Sequence, residues 1–527
     1  MDRSLTIQLI AIMVVVLLGA GLDVMEVDAA QYAGMSRDML VSGDVLELHY
    51  RGEDYLDKPP LLFWMSALSF GLFGVHDWSY RLPSIVFAFL GAFSTYRFAL
   101  LYHGKEVART ALVMFGCSLA FFLMCNDVRC DTMLTGSVIT AIWSGCAWLK
   151  EGRWWQLFTL ALSLSCGLLS KGPIGAMAPM LAIGAQSVFT RSWVRLRDPR
   201  WLLVPVIVAL ALIPMCIGLY QQHGWHGIRF YFWEQSFGRI TGENRWQDDS
   251  SALFFTHELL WQMLPWTVFV LAGLWRAGRM IMRRKAPAEY ASSIGAFAVF
   301  VALSLSHFKL PHYLYVTLPL FAVLGAYGRH SAQGFWLFRV QAVVTSLIWI
   351  LTLVLAWVPF PELRWPMTGL VLVLGMVALW SARASDKREA ALVPTFWVMI
   401  AAGAVLNGQF YPGVLRSQAN AQAGKWAAAN GSGPRQFFGM QVSGNALDYY
   451  AGFPVQWLSH AGEARSVIVP GVAIYTDEIH RKELMDAGLA PVREIELYDH
   501  PAQRLSLRFV LPHLRATVLE KRYIMVY

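Results

Sequence analysis

The sequence predicts an all-α polytopic membrane protein carrying a small α/β region at its C-terminal end. Three observations carry that prediction. Apolar runs of spanning length recur through residues 1–408, only 15% of the 527 residues are charged, and residues 409–527 have ordinary soluble composition. A soluble globular chain carries about a quarter charged residues. The deficit arises because most of this chain sits where charge cannot be hydrated. The 22 Trp, 31 Phe and 19 Tyr fit aromatic belts at two membrane interfaces. A net charge of +8 does not argue for nucleic acid, because the basic residues are scattered through short loops between apolar runs.

A helix needs about 20 predominantly apolar residues to cross the hydrocarbon core. Such runs place about thirteen spans near 4–22, 80–102, 107–124, 132–149, 154–170, 173–190, 201–220, 253–275, 289–306, 312–328, 335–358, 366–381 and 391–408. The first run follows Arg3 and is long for a signal-peptide core, so it is read as an uncleaved span. Lys105, Lys150, Arg153, Arg195, Arg279, Arg283, Lys285, Arg329, Arg383 and Lys387 fall in one set of loops. The positive-inside rule makes that set cytoplasmic. The N-terminus is then inside, and an odd number of spans puts the C-terminus outside.

Three outside segments exceed a turn: 23–79, 221–252 and 409–527. In the first, Pro59 to Gly74 is apolar but short, and reads as a re-entrant or interfacial helix. In the third, Ser466 to Ile474, Arg493 to Leu497 and Leu505 to Val510 read as strands, and Ala421 to Asn430 and Asp477 to Ala487 as helices. The expected organisation is therefore a transmembrane domain, 1–408, followed by a soluble α/β domain, 409–527. Cys117, Cys146, Cys166 and Cys216 lie in apolar runs as small hydrophobes, and no Cys/His set has zinc spacing. Cys125 and Cys130 flank one short loop, a pairing open only to an oxidising compartment.

Ionisable residues at the outer ends of spans are the candidates for chemistry. Asp28 follows the first span, where partial desolvation can fit a carboxylate for base chemistry; its bland role is to cap the helix that follows. Lys58 stands before Pro59-Pro60 at headgroup height, where it can grip a lipid phosphate or snorkel to ordinary lipids. Asn126 to Asp131 crowds Asp127, Arg129 and Asp131 into one short loop, and Asp131 can cap the next helix or serve an acceptor or a metal. Lys171, in the turn Ser170-Lys171-Gly172-Pro173, has no neighbouring acid in sequence. Lys309 lies in His307-Phe308-Lys309-Leu310-Pro311-His312-Tyr313. Three cations converging at one depth would form a phosphate site, since a phosphodiester needs several donors to leave water. Arg239 in the second loop could join the phosphate, or only pair with a nearby acid, and Trp246 could stack on a sugar.

These motifs together resemble the GT-C membrane glycosyltransferases, nearest to the bacterial lipid A aminoarabinose transferase-like branch related to protein O-mannosyltransferases. The resemblance rests on Asp28…Tyr32…Ser36-Arg37-Asp38, Asp57-Lys58-Pro59-Pro60-Leu61-Leu62-Phe63-Trp64, Arg81-Leu82-Pro83-Ser84, Arg129-Cys130-Asp131, Ser170-Lys171-Gly172-Pro173 and Lys309-Leu310-Pro311-His312-Tyr313. It implies a GT-C fold in the bacterial inner membrane, an undecaprenyl-phosphate-linked sugar as donor, and a periplasmic lipid, glycan or protein acceptor such as lipid A. It further implies inversion at the anomeric carbon. By position it makes Asp28 and Asp131 the catalytic acids, and Lys58, Lys171, Lys309 and Tyr313 the lining of the phosphate cavity. It adds Tyr32, Arg37 and Arg129 as substrate contacts. Two departures stand out. The family usually has Asp-Glu where this chain has Asp28-Ala29, so a role needing the second carboxylate is either lost or moved to Glu26. Asp57 stands where relatives often carry a Glu that could ligate metal, and 240–247 holds no His partner, so no cofactor is assigned and Asp57 is only a weak candidate for a divalent metal. The rival readings are a lipid-linked sugar flippase, which would show charges in mid-span and inverted repeats, and a glycan polymerase or ligase.

Overall fold

A computed structural model describes residues 3–235, 250–331, 335–384 and 389–527. Every one of the thirteen apolar runs is helical over most of its length. The helices are α1 (Arg3–Ala20), α2 (Asp28–Ser42), α3 (Leu61–Phe73), α4 (Asp77–His103), α5 (Lys105–Gly116), α6 (Leu119–Asn126), α7 (Cys130–Glu151), α8 (Trp154–Lys171), α9 (Ile174–Thr190), α10 (Trp193–Leu196) and α11 (Leu203–Arg229). They continue with α12 (Phe254–Gln262), α13 (Thr267–Met282), α14 (Ala296–Ser304), α15 (Leu318–Ser331), α16 (Phe335–Trp357), α17 (Arg364–Ala384), α18 (Glu389–Val405) and α19 (Tyr411–Leu415). Among the described residues, seven helical stretches are each long and apolar enough to cross a bilayer, and the α5–α6 pair, bent by 51°, makes an eighth.

The run 253–275, read as one span, is broken between α12 and α13. Pro265 interrupts the backbone ladder there. Short α3 starts at Pro59-Pro60, whose fixed φ suits a helix start.

Helices α7 and α8 form an antiparallel hairpin through the turn Gly152-Arg153. Small residues set how closely the bundle packs. A Cβ on Gly136 of α7 would lie 2.3 Å from the Phe87 carbonyl oxygen of α4, and one on Gly175 of α9 would lie 2.1 Å from the Gly167 carbonyl carbon of α8. Where water gives no drive for helices to associate, such close backbone approach is the main source of packing attraction. Arg81, buried in α4, ties the helix ends together by donating to the carbonyls of Ala20, Leu22, Asp23 and Asn126.

Beyond α19 the chain forms a five-stranded mixed sheet in the order β4-β3-β5-β7-β6: β3 (Phe437–Met440), β4 (Gln456–Leu458), β5 (Ala473–Asp477), β6 (Arg493–Asp499) and β7 (Glu520–Val526). An antiparallel ribbon, β1 (His49–Tyr50) with β2 (Glu53–Asp54), lies in the first loop. Helices α20 (Ala419–Ala429), α21 (Asn445–Ala451), α22 (Ala461–Val467) and α23 (Glu478–Asp486) accompany the sheet. Two strand expectations fail. Of Ser466 to Ile474 only the last two residues are strand, where β5 begins, and 466–467 close a helix that His460 caps at the Glu463 amide; 507–510 are helical because Ser506 caps Phe509. In both, local capping overrides the apolar pattern.

Helices α20 and α21 dock on the first loop. Glu26 accepts from the backbone amides of Asn445 and Ala446 and from Asn420 Nδ2 at 3.2 Å. Gln418 bridges the Val24 carbonyl and the Glu26 amide at 2.9 and 3.0 Å.

Candidate functional site

The site is built from helix ends. Counting back from the turn at 152–153, α7 and α8 have similar lengths, so the start of α7 and the end of α8 fall side by side. Asp131 sits in the first turn of α7, where the helix dipole favours an anion, and Lys171 ends α8, where it favours a cation. Lys171 Nζ lies 2.5 Å from Asp131 Oδ1. After Lys171 the chain reverses at Gly172, whose φ of 76° is costly for any residue with a Cβ, and Pro173 then leads into α9.

Around this pair two further residues close in from the turn Pro311–Thr317. His312 Nε2 is 3.7 Å from Asp131 Oδ2, and the Lys171 ammonium lies 3.8 Å above the Tyr313 ring. Lys58 pairs with Asp57 at 2.6 Å. Burial pulls the Lys58 pKa down, but the adjacent Asp57 carboxylate outweighs it and holds the ammonium above the usual lysine range.

Lys58, Asp131, Lys171, Tyr313, Gln235 and Ser306 line one cavity. Its remaining walls are apolar: Leu134 one turn down α7, Ile174 and Met177 at the start of α9, and Ala302 and Leu303 in α14. Charged groups at the helix ends thus give way, one turn deeper, to a hydrocarbon-like wall. That profile suits an amphiphile with an anionic head.

Arg129 precedes α7. It pairs with Asp28 at 2.8 Å and with Asp127 at 2.6 Å. The Asp28 side chain is 40% exposed, whereas that of Asp131 is 6% exposed. Asp28 is therefore open to solvent, and Asp131 is committed to Lys171. Tyr32 is buried in α2, edge-on to Phe63 at 5.7 Å. Burial pushes the Tyr32 and Tyr55 hydroxyls well above the usual tyrosine range, so neither supplies a phenolate near neutral pH.

Several expectations change. Lys171, with no acid near it in sequence, has one in space. Lys309 does not line the cavity: it is buried on the same turn and donates to the Ser250 carbonyl at 3.1 Å. Arg37 is spent elsewhere, donating to the carbonyls of Asp448 and Tyr449 at 2.9 Å and to Asp38 at 2.6 Å. It is a docking residue, because a guanidinium placed over two carbonyls has its donors satisfied by the backbone. Arg239 and Trp246 lie outside the described residues. Among the described residues, the one three-ligand cluster with metal-binding spacing is Asp44, Glu47 and His49 in the first loop, and Asp57 is not part of it. His312 and Gln235 joined the site without being singled out. His312 stood in the motif around Lys309, and the similar helix lengths on either side of residue 152 would have placed Asp131 near Lys171.

The comparisons with known proteins agree with this architecture. The dolichyl-phosphate-mannose-protein mannosyltransferase family matches residues 57–217. An undecaprenyl phosphate-alpha-4-amino-4-deoxy-L-arabinose arabinosyl transferase 2 of Proteus mirabilis is 24% identical over 320 residues, covering 58% of this chain and 56% of its own. The corresponding transferase of Pseudomonas aeruginosa is 26% identical over 309 residues, covering 56% and 54%. The chain thus spans about half the length of the curated relatives it matches. Among solved structures, ArnT from Cupriavidus metallidurans bound to undecaprenyl phosphate superposes with a TM-score of 0.74 at 18% identity, over 98% of this chain and 97% of that one. The apo form gives 0.71 over 92% and 94%.

The chain is a multi-pass membrane protein of GT-C fold. It is similar to the aminoarabinose transferases in sequence, over a little more than half its length, and in fold.

Proposed function

We propose that the protein is an inverting glycosyltransferase that moves a sugar from a polyprenyl-phosphate donor to an acceptor such as lipid A or another envelope glycan. The observation that carries this reading is the cavity whose charged rim, Lys58, Lys171 and Asp131, passes one turn deeper into apolar wall. A prenyl tail fits the wall and a phosphate fits the rim. An ammonium has three donors, and Asp131 takes one of them from Lys171. Donor oxygens compete for the rest while Asp131 keeps the side chain aimed. Lys58 and Lys171 then stabilise the charge that builds on the leaving phosphate, with Tyr313 beneath the ammonium. Lys309 supports the turn that carries His312 and Tyr313. Asp28, exposed and oriented by Arg129, takes the proton from the acceptor hydroxyl, and attack from the face opposite the phosphate inverts the sugar centre.

The finer layout belongs to the same reading. Residues 1–408 cross the bacterial inner membrane thirteen times with the N-terminus in the cytoplasm. The site faces the periplasm, and residues 409–527 form a periplasmic α/β domain. The names of the relatives, arabinosyl transferases using undecaprenyl phosphate-aminoarabinose, support the donor class.

The test is turnover by the purified, reconstituted chain. Given a polyprenyl-phosphate-linked sugar and lipid A, it should release free polyprenyl phosphate only when acceptor is present. Movement of intact donor between leaflets, without cleavage, would instead identify a flippase.

A further inference from the structure

A second hollow lies at the far end of the bundle from the site. Helix α15 begins directly after the turn that carries His312 and Tyr313 and runs for 14 residues, a rise of about 20 Å, to Ser331. There α13, α15 and α16 flank an open groove. Its floor is apolar, with Leu271, Leu337 and Val340, and its rim is cationic, with Arg276, Arg279, Arg283 and Lys285. Trp275 and Trp336, 74% and 66% exposed, flank the opening.

Some of this needs no ligand. Cations are favoured at a helix C-terminus, and just past α13 the Lys285 backbone amide donates to the Met280 carbonyl at 2.9 Å. Arg276 is occupied by the Ser331 carbonyl and the Tyr327 ring. Among the described residues, however, no carboxylate lies within ion-pair distance of Arg279, Arg283 or Lys285, although every charged group at the site pairs with an opposite charge or a carbonyl. A helix dipole does not account for an apolar trough running away from these cations, nor for two exposed indoles at its mouth. Basic pockets between membrane helices, floored by hydrocarbon, recognise anionic headgroups.

We propose that this groove is a binding site for an anionic glycerophospholipid, with its phosphate against Arg279, Arg283 and Lys285 and its acyl chains along Leu271, Leu337 and Val340. The proposal is independent of the transfer reaction. Native mass spectrometry of the full chain, delipidated and offered phosphatidylglycerol and phosphatidylethanolamine in equal amounts, tests it. The wild-type protein should retain phosphatidylglycerol selectively. The combined variant R279Q/R283Q/K285Q should lose that retention by about tenfold or more, and the charge-keeping R279K/R283K variant should keep it. Because removing loop charges can disturb insertion, a second variant, Val340→Trp, fills the floor and leaves the charges in place; it should lose phosphatidylglycerol as well. Equal retention of the two lipids would overturn the proposal. So would undiminished retention by both the charge-removed and the filled variants, or displacement of the bound lipid by equimolar polyprenyl phosphate, which would assign the groove to a donor-type lipid.

Discussion

At the scale of single residues, the two candidate acids have different surroundings and so different expected failures. Asp28 is exposed and touches only Arg129 among the pairs described. Asp28→Asn should leave the fold and donor binding intact and lower kcat by about 10²–10⁴, the usual worth of a positioned base. Steady-state turnover and a thermal melt measure both, and near-normal kcat would remove Asp28 from the mechanism. Asp131 and Lys171 form a buried pair, and removing one partner strands the other charge at a cost of about 3–5 kcal/mol. Lys171→Gln alone should therefore melt early, whereas Lys171→Gln with Asp131→Asn should recover most of the stability and still not transfer. Recovered transfer in the double variant would contradict a role for the charged pair in donor recognition. The lysines were legible in the sequence because each sits alone between apolar runs. Their partners were not, since Asp131 and Lys171 lie forty residues apart and meet only through the α7–α8 hairpin.

Elements decide how firmly the first loop is held. The seam between α2 and helices α20 and α21 carries Glu26, Asp448 and, at its edge, Asp499, which accepts from the Ala419 amide at 3.0 Å. Burial raises all three carboxyls above their usual range, against the hydrogen bonds from Asn420, Ala446 and Asn445 on Glu26, from the Val455 amide and Arg51 on Asp448, and from Ala419 on Asp499. The docked form therefore binds protons more tightly than the undocked form. Its stability is full below about pH 4, the ordinary carboxylate range, and falls as pH rises through the raised values. Hydrogen exchange over 419–451, corrected for intrinsic rates, should show protection declining in that direction, and Glu26→Gln should flatten part of the slope. Protection that grows with pH would contradict this account of the seam.

The bundle itself depends on backbone contact. Gly175→Ala places a methyl against Gly167, forces α8 from α9, and should cost about 1–3 kcal/mol as an overpacked site. Because Lys171 and Ile174 lie on the turn between Gly167 and Gly175, the apparent donor KM should rise along with the fall in melting temperature. An unchanged melt would mean the helices separate freely. Span-length runs gave the helices away, because hydrocarbon demands them. The short strands β3 and β4 did not announce themselves, being four and three residues long, and Arg37 was misread because its role is set by carbonyls more than 400 residues further along.

For the molecule as a whole, the account rests on one amphipathic hollow assembled from five separate stretches of chain. Its fold was legible from hydropathy and loop charge, and its motifs from their order along residues 28–313. The exclusion of Lys309 from the lining was not, since sequence gives depth in the membrane but not the direction of a side chain. The most direct measurement is the affinity of the reconstituted chain for a labelled polyprenyl-phosphate sugar, compared between wild type, Asp28→Asn and the Lys171→Gln/Asp131→Asn double variant. The predicted result is wild-type affinity without turnover for Asp28→Asn, and affinity at least about tenfold weaker for the double variant, the order of magnitude expected when a charge-assisted phosphate contact is lost. Undiminished donor affinity in a folded double variant would contradict the claim that this cavity holds the donor phosphate.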